Sequence, residues 1–422
     1  YREQYGLPSS ISRALFESDP QRAQTPNYRM EREGYRVRPG GSFKPSADVA
    51  IEIDGSYNDD LFKAKNVDWF MRNESHVKST SLSPRVKWTH GLAGAERSET
   101  IAGIDLYDGK AIGDSLDFTT GARYNRQTGQ QRSQGVYVEN RAQWQGGFDT
   151  TLGLRRQHFE QKLGDEGAGL HAESSDGLSA WELVAGWRFA PGWRAYGKAA
   201  RNFRLPNTDE LFAYDPVTYQ ALFNGALKAQ TGQLAEAGLS WSVGSFTQQF
   251  SLFQQENHNE IGYIAANGRN ANLDATRRRG AEWEGRWNIT SAWQLRGSVS
   301  AVDAKFTEGS YSGKTIPLVS RHKETLGVVW DGAQFGTHSM NLVSADGRYF
   351  GGDFANARNK LGGYTTLDYQ AQWRIERFAV IFKATNLTDR KYSPLGYSST
   401  WNPGTYYPAD PRSFSLAVKV DL

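Results

Sequence analysis

Residues 363–375 read GYTTLDYQAQWRI. Leu367, Tyr369, Ala371, Trp373 and Ile375 share one parity, and Asp368, Gln370, Gln372 and Arg374 share the other. A two-residue period of this kind specifies a strand with one apolar and one polar face. A tight break at Glu376 and Arg377 leads into FAVIFKATN, and the chain closes with SFSLAVKVDL, where Phe414, Leu416, Val418, Val420 and Leu422 alternate again.

Alternation alone also suits a soluble sandwich, so the position of the aromatic residues decides. Trp373 precedes the tight break and Phe378 follows it. The same bracket recurs as Trp144 and Phe148, Trp187 and Trp193, Trp241 and Phe246, Trp287 and Trp293, and Trp330 and Phe335. Rings held at one height around a sheet are what a membrane–water interface selects. The reading is all-β, a transmembrane antiparallel up-and-down β-barrel.

The composition is compatible with that reading. Only 38% of the 422 residues are apolar, and no run approaches the roughly 18 apolar residues of a spanning helix. A barrel needs neither, because alternate residues face a polar lumen and the loops face water. The 44 glycines and 54 aromatic residues (20 Tyr, 21 Phe, 13 Trp) suit twisted, lipid-touching strands joined by turns. With no cysteine there is neither a disulfide framework nor a thiolate metal site. A formal charge of +3 without a long basic block argues against nucleic acid as a partner.

Residues 1–29 lack alternation and read as a loop with one helical turn at SRALFESD. From there the pattern predicts about 17 strands, the first at about 30–44 and the last at about 411–422. Short connections such as QGG, APG, VGS and DGA take turns with long ones at about 63–77, 109–132, 162–177, 205–228, 258–271, 308–317, 349–361 and 392–410. Outer-membrane barrels have short periplasmic turns and long extracellular loops, and all the aromatic brackets fall at the short-turn end. Bacterial barrels close on an even number of strands, so an odd count leads us to expect that strands precede Tyr1. No signal-peptide pattern stands at Tyr1, and we see no domain boundary within residues 1–422.

Several blocks resemble the TonB-dependent outer-membrane receptors. They are RNFRLPNTDELF at 201–212, LKAQTGQLAEAGLSW at 227–241, NANLDATRRRGAEWEGRW at 270–287, GKTIPLVSRHKETLGVVW at 313–330, NLTDRKY at 386–392 and the closing PRSFSLAVKVDL. The order and spacing of these blocks match across most of the chain. Pro411 stands where the family usually has Gly, and Leu422 where it usually has an aromatic residue. The resemblance implies a 22-stranded barrel of which about 17 strands are present, with the N-terminal plug domain and the first strands absent. It also implies active uptake of a bulky nutrient across the bacterial outer membrane, driven by the TonB complex through the missing N-terminus. The expected ligand is a ferric siderophore or related metal chelate. The alternatives are a haem or cobalamin receptor of the same family, a passive porin, and a barrel anchoring an outer-membrane enzyme or adhesin.

Within NLTDRKY, turn chemistry favours Asn386, Thr388 and Asp389 as the shape of a strand exit, with Tyr392 in the outer girdle. Arg277, Arg278 and Arg279 form a basic run in which one or two are expected to face the lumen and meet Glu282 and Glu284. The seven histidines are scattered without metal-ligand spacing, and no nucleophile elbow or phosphate-cradling loop occurs, so no catalytic, metal or cofactor site is expected. Ligand contact falls to aromatic residues of the long loops, because rigid rings give large contact area for little entropy. The candidates are Tyr214, Tyr219, Phe223, Tyr397, Trp401 and Tyr406, with Arg269 as a cation for an anionic chelate and Arg348 as a second. Expected partners are outer-membrane lipid and lipopolysaccharide, the chain's own plug domain, the TonB complex and the chelate, with the receptor acting as a monomer.

Overall fold

The computed structural model describes residues 1–214, 221–224, 227–264, 269–398 and 404–420. Nineteen strands form one antiparallel sheet. In chain order they are β1 (Arg2–Gly6), β2 (Tyr28–Val37), β3 (Gly40–Phe43), β4 (Val49–Asn66), β5 (Met71–His90), β6 (Ala95–Leu116) and β7 (Arg123–Trp144). There follow β8 (Phe148–Asp165), β9 (Leu170–Ala190), β10 (Trp193–Arg204), β11 (Gln230–Val243), β12 (Phe246–His258) and β13 (Thr276–Asn288). The last are β14 (Trp293–Phe306), β15 (His322–Asp331), β16 (Thr337–Ala345), β17 (Tyr364–Ile375), β18 (Phe378–Thr385) and β19 (Ser413–Val420). Each strand pairs with its neighbour in sequence, as an up-and-down meander requires. The strands β2 and β3 pair in turn with β4 and occupy one place in the ladder, interrupted at Pro39.

All seventeen expected strands are present, together with β1, which pairs with β2. The segment REQYG carries no alternation because all five of its residues are exposed. The short helix Arg13–Ser18 lies where the helical turn was expected, capped by Ser12 Oγ accepting from the Leu15 amide.

Two expectations need correction: Arg2–Gly6, inside the expected N-terminal loop, is a strand of the sheet, and so is much of three expected long loops. The stretches 63–77, 109–132 and 162–177 are not long loops but the far ends of strands 18–22 residues long, joined by short turns. Spanning the membrane takes only about 9–11 residues of strand, so β4 to β9 run well beyond it. There both faces meet water, and the period-two signal disappears. Polar pairs replace it, such as Asp114 with Arg126 at 2.7 Å, Asp108 with Arg132 at 2.7 Å and Lys162 with Glu173 at 2.9 Å.

Parity fixes the two faces. Ile53, Leu82, Ile104, Val136, Leu154, Leu183 and Leu252 all stand exposed on one side, which in a membrane protein is the lipid side. The opposite side carries charge in ladders, with Arg85 reaching Glu52 and Asp54, Asp149 held between Arg188 and Arg194, and Lys198 paired with Glu182. Near the short-turn end this polar lumen wall encloses a cavity of about 780 Å³ that includes Gln249, Glu284, Arg286, Arg296 and Asn341. The short turns are tight. At Gly192 (φ 77°) a side-chain carbon would lie 2.1 Å from the carbonyl oxygen of Ser242, so only glycine fits.

Candidate functional site

At the long-loop end the connections interlock into a continuous belt. The segment after β10 is held to the inner wall by Gln161, almost fully buried, which donates to the Pro206 carbonyl at 2.7 Å. Beside it Phe159, Leu178 and Ala229 pack with Phe203 and Leu205 into an apolar cluster. Arg204 closes on Glu210 at 2.9 Å, and Glu210 also accepts from the Asn207 amide. From there a short hairpin pairs Phe212–Tyr214 with Ala221–Phe223.

The next loop folds into a second hairpin, Ile261–Ile264 with Arg269–Asn272. Asparagines bind the two hairpins together. Asn224 donates to the Asn270 carbonyl at 2.5 Å, while Asn272 accepts from the Lys228 amide at 2.8 Å and donates to its carbonyl at 3.0 Å. At the base of this loop Glu260 meets Arg278 at 2.5 and 3.0 Å, Thr276 Oγ1 at 2.9 Å and Asn257 Nδ2 at 2.5 Å. Burial raises the Glu260 carboxyl, but the bonds and charge of Arg278, helped by Thr276 and Asn257, outweigh it and hold the group below its ordinary range.

The belt continues through Leu273, which, like Phe354, packs against the buried cluster of Ala304, Phe306 and Ile316. Asn356 accepts from the Thr315 amide at 2.7 Å, and Gly351 exchanges backbone bonds with Gly396 and Ser398. It ends in a three-stranded patch of Leu395–Tyr397, Thr405–Tyr407 and the N-terminal Ile11–Ser12.

The belt unites several of the expected ligand residues. Tyr214 and Phe223 lie on opposite strands of the first hairpin, and Arg269, exposed, begins the second strand of the hairpin bound to it. Tyr397 is 44% exposed on the terminal patch, its ring edge-on to Tyr407 at 6.3 Å. Tyr406 faces inward instead, stacked on Phe16 at 4.7 Å and edge-on to Phe350 at 5.3 Å. Burial pushes its hydroxyl pKa up. Tyr219 and Trp401 lie outside the described residues.

Further placements refine the reading. Arg348 is buried, its guanidinium on Ser320 Oγ at 3.3 Å and on the Ser393 and Pro394 carbonyls, which makes it a clamp between loops. Of the basic run, Arg278 turns inward but meets Glu260 rather than Glu282 or Glu284, because the returning loop brings that carboxylate over it. Arg279 faces outward to Gln254 at 2.6 Å. Asn386 (φ 50°), almost fully buried, clamps the strand exit by accepting from the Arg390 amide at 2.9 Å and donating to the Arg390 and Asp410 carbonyls. Tyr392 stacks on Tyr364 with centroids 4.1 Å apart.

The Asn bridges and the Glu260–Arg278 pair escaped sequence reading, since neither lies on a periodic segment. Among the described residues no group of three or more His, Asp and Glu is placed to hold a metal ion.

Comparison with known proteins gives one answer throughout. The pesticin receptor of Yersinia enterocolitica serotype O:8 / biotype 1B is 26% identical over 268 residues, which are 59% of this chain and 38% of the receptor. The ferrichrome outer membrane transporter/phage receptor of Escherichia coli strain K12 is 24% identical over 283 residues, 62% of this chain and 35% of that protein. Among solved structures, the ferric citrate transporter FecA in its unliganded form superposes with a TM-score of 0.82 at 17% identity, covering 98% of this chain and 65% of that one. The chain thus spans well under half the length of these two sequence relatives and about two thirds of that structure. The family of these proteins comprises receptors and transporters of the Gram-negative outer membrane rather than enzymes. The family model described as TonB dependent receptor-like, beta-barrel matches residues 3–387, and the chain belongs to that family.

Proposed function

We propose that this chain is the C-terminal barrel portion of an outer-membrane receptor that takes up a bulky metal chelate, a ferric siderophore foremost, with energy supplied by the TonB complex. In the whole protein an N-terminal plug and the preceding strands complete a monomeric 22-stranded barrel. The observation that carries the reading is the belt of interlocked long loops, which presents Tyr397 and Arg269 above a charged lumen. A relative named for ferrichrome and structural neighbours named for ferric citrate and ferric catecholates support the ligand class. A barrel of this size needs a plug to keep the membrane tight, and the polar inner wall with its open cavity suits a protein surface of complementary charge. A plugged lumen passes nothing until work moves the plug, and the outer membrane has no ATP of its own.

The test is equilibrium binding to the full-length receptor, read by quenching of intrinsic fluorescence. A ferric hydroxamate, a ferric catecholate, ferric citrate, haem and cobalamin are titrated separately. The proposal expects submicromolar binding of at least one ferric chelate and none of haem or cobalamin. Tight binding of haem or cobalamin alone would overturn the ligand class.

A further inference from the structure

The tryptophan girdle has a counterpart inside the barrel. Four of its rings stand next in sequence to an arginine, in Trp187–Arg188, Trp193–Arg194, Arg286–Trp287 and Trp373–Arg374. Neighbouring side chains of a strand point to opposite faces, so these arginines enter the lumen at the height where the rings meet the membrane interface. Arg296 joins them, since it stands opposite Arg286 across β13 and β14. The short-turn end of the lumen wall therefore carries a collar of guanidinium groups.

Carboxylates neutralise this collar on one side only. Asp149 takes both Arg188 and Arg194, at 3.2 and 2.6 Å. On β13 and β14 no acid does the same. Arg286 and Arg296 are register partners that both face the lumen, and like charges directly opposite one another weaken a ladder. Arg296 donates to Asn341 Oδ1 at 2.8 Å and lies over Gly327, where a Cβ would stand 2.6 Å from its Nε. Among the described residues Arg286 has no hydrogen-bond or ionic partner. Both arginines line the lumen cavity of about 780 Å³, together with the neutral donors Gln249, Gln294 and Ser298. Glu284 is the carboxylate of that lining, and it bonds to neither arginine.

A cavity of that volume is of ligand size. Two guanidinium groups without a carboxylate between them match an anion that carries several oxygens, and rings of arginine are how pores select anions. We propose that the Arg286–Arg296 part of the collar is an exit site for the cargo, which binds an anionic, oxygen-rich ferric chelate of the carboxylate or catecholate class between the loops and the periplasm. The site rests on the uptake reading above, in which the chelate crosses the lumen once work has moved the plug. Its positive field concentrates the chelate at the periplasmic end and so speeds the last stage of transit. The collar lies at the end of the lumen opposite the loops, so initial capture does not depend on it.

The test uses cells whose only receptor is the full-length protein. Ferric citrate, a ferric tricatecholate and the neutral trihydroxamate ferrichrome are offered separately as radiolabelled probes. Surface binding is read without TonB and the maximal uptake rate with it. Arg286→Gln combined with Arg296→Gln is expected to lower the uptake rate of an anionic chelate about tenfold while surface binding keeps the parent strength. Lysine at both positions restores most of the rate, because the charge and not the guanidinium shape sets the field. Heat-modifiable migration shows that all forms are folded. If the double variant does not assemble, Arg286→Gln decides alone, with a fall of about threefold.

Unchanged uptake of the anionic chelate by the glutamine variants overturns the proposal. A rise in vancomycin entry without TonB does the same, since it assigns the arginines to holding the plug. A parent that takes up ferrichrome and neither anionic chelate upholds the function proposed above and overturns this site. A parent that takes up no ferric chelate refutes that function and this site with it.

Discussion

Trp193 and Trp241 stand opposite one another on β10 and β11, and their rings stack 5.2 Å apart with planes 9° from parallel. They belong to successive short turns, so the stack ties one hairpin to the next. Phe148 on Trp187 at 5.5 Å and Trp293 on Trp330 at 5.8 Å repeat the arrangement. The brackets seen in the sequence are thus the two halves of cross-strand pairs, and the girdle is a chain of contacts as well as a belt at the interface.

The Trp193–Trp241 stack is expected to contribute about 1 kcal/mol of coupling beyond the burial of each ring. Urea unfolding of the full-length receptor in lipid vesicles, carried through a double-mutant cycle of Trp193→Ala and Trp241→Ala, measures it. Strict additivity of the two single effects would leave the girdle as a set of independent anchors.

Glu260 and Arg278 hold the base of the loop that carries Arg269. Glu260→Ala leaves the guanidinium without its carboxylate and is expected to cost about 3 kcal/mol locally. Trypsin cleavage after Arg269 reports the released loop, and its rate should rise in Glu260→Ala. The Glu260 carboxyl titrates below its ordinary value of 4.5, so its contribution is fully present above that pH and disappears as pH falls through the depressed value. Loop release in the parent should therefore begin only below pH 4.5, whereas Glu260→Ala should be released at neutral pH and insensitive to acid.

Tyr397 and Tyr406 should separate in their effects although they sit in adjacent strands of one patch. Tyr406 is packed between Phe16 and Phe350, so Tyr406→Ala should loosen residues 395–407 to protease. Tyr397 presents an accessible ring, so Tyr397→Ala should leave the digestion pattern intact and weaken chelate binding about tenfold. Limited proteolysis and equilibrium titration on the same preparations distinguish the two.

Asn386 combines a left-handed backbone with three side-chain bonds to the strand exit. Asn386→Gly keeps the backbone and loses the bonds, while Asn386→Ala loses both. The alanine variant is expected to be less stable than the glycine variant by about 1 kcal/mol in urea unfolding. Equal stability would show that backbone strain plays no part.

What was legible follows where the membrane is. Between the girdle and the outer interface, one face of every strand meets lipid and the other a polar lumen, so Leu367 to Ile375 and Phe414 to Val420 announce themselves. Beyond the interface both faces of Arg123–Trp144 and Leu170–Ala190 meet water, and strands there read as loops. Of the candidate site, Tyr397 and Arg269 were reachable because exposed aromatic and cationic loop residues carry their own signal. The inward turn of Tyr406 and the burial of Arg348 were not, since each depends on a loop distant in sequence. Phe16 and the Pro394 carbonyl supply those contacts, and no local pattern points to either.

The central claim is that transport through this barrel is energised. Its most direct test is uptake of the radiolabelled ferric chelate that binds best, in cells whose only receptor is the full-length protein, with and without TonB. The account predicts accumulation against a gradient in the TonB-containing strain, and surface binding without accumulation when TonB is absent. Uptake at the same rate in both strains would contradict it and make the barrel a passive pore.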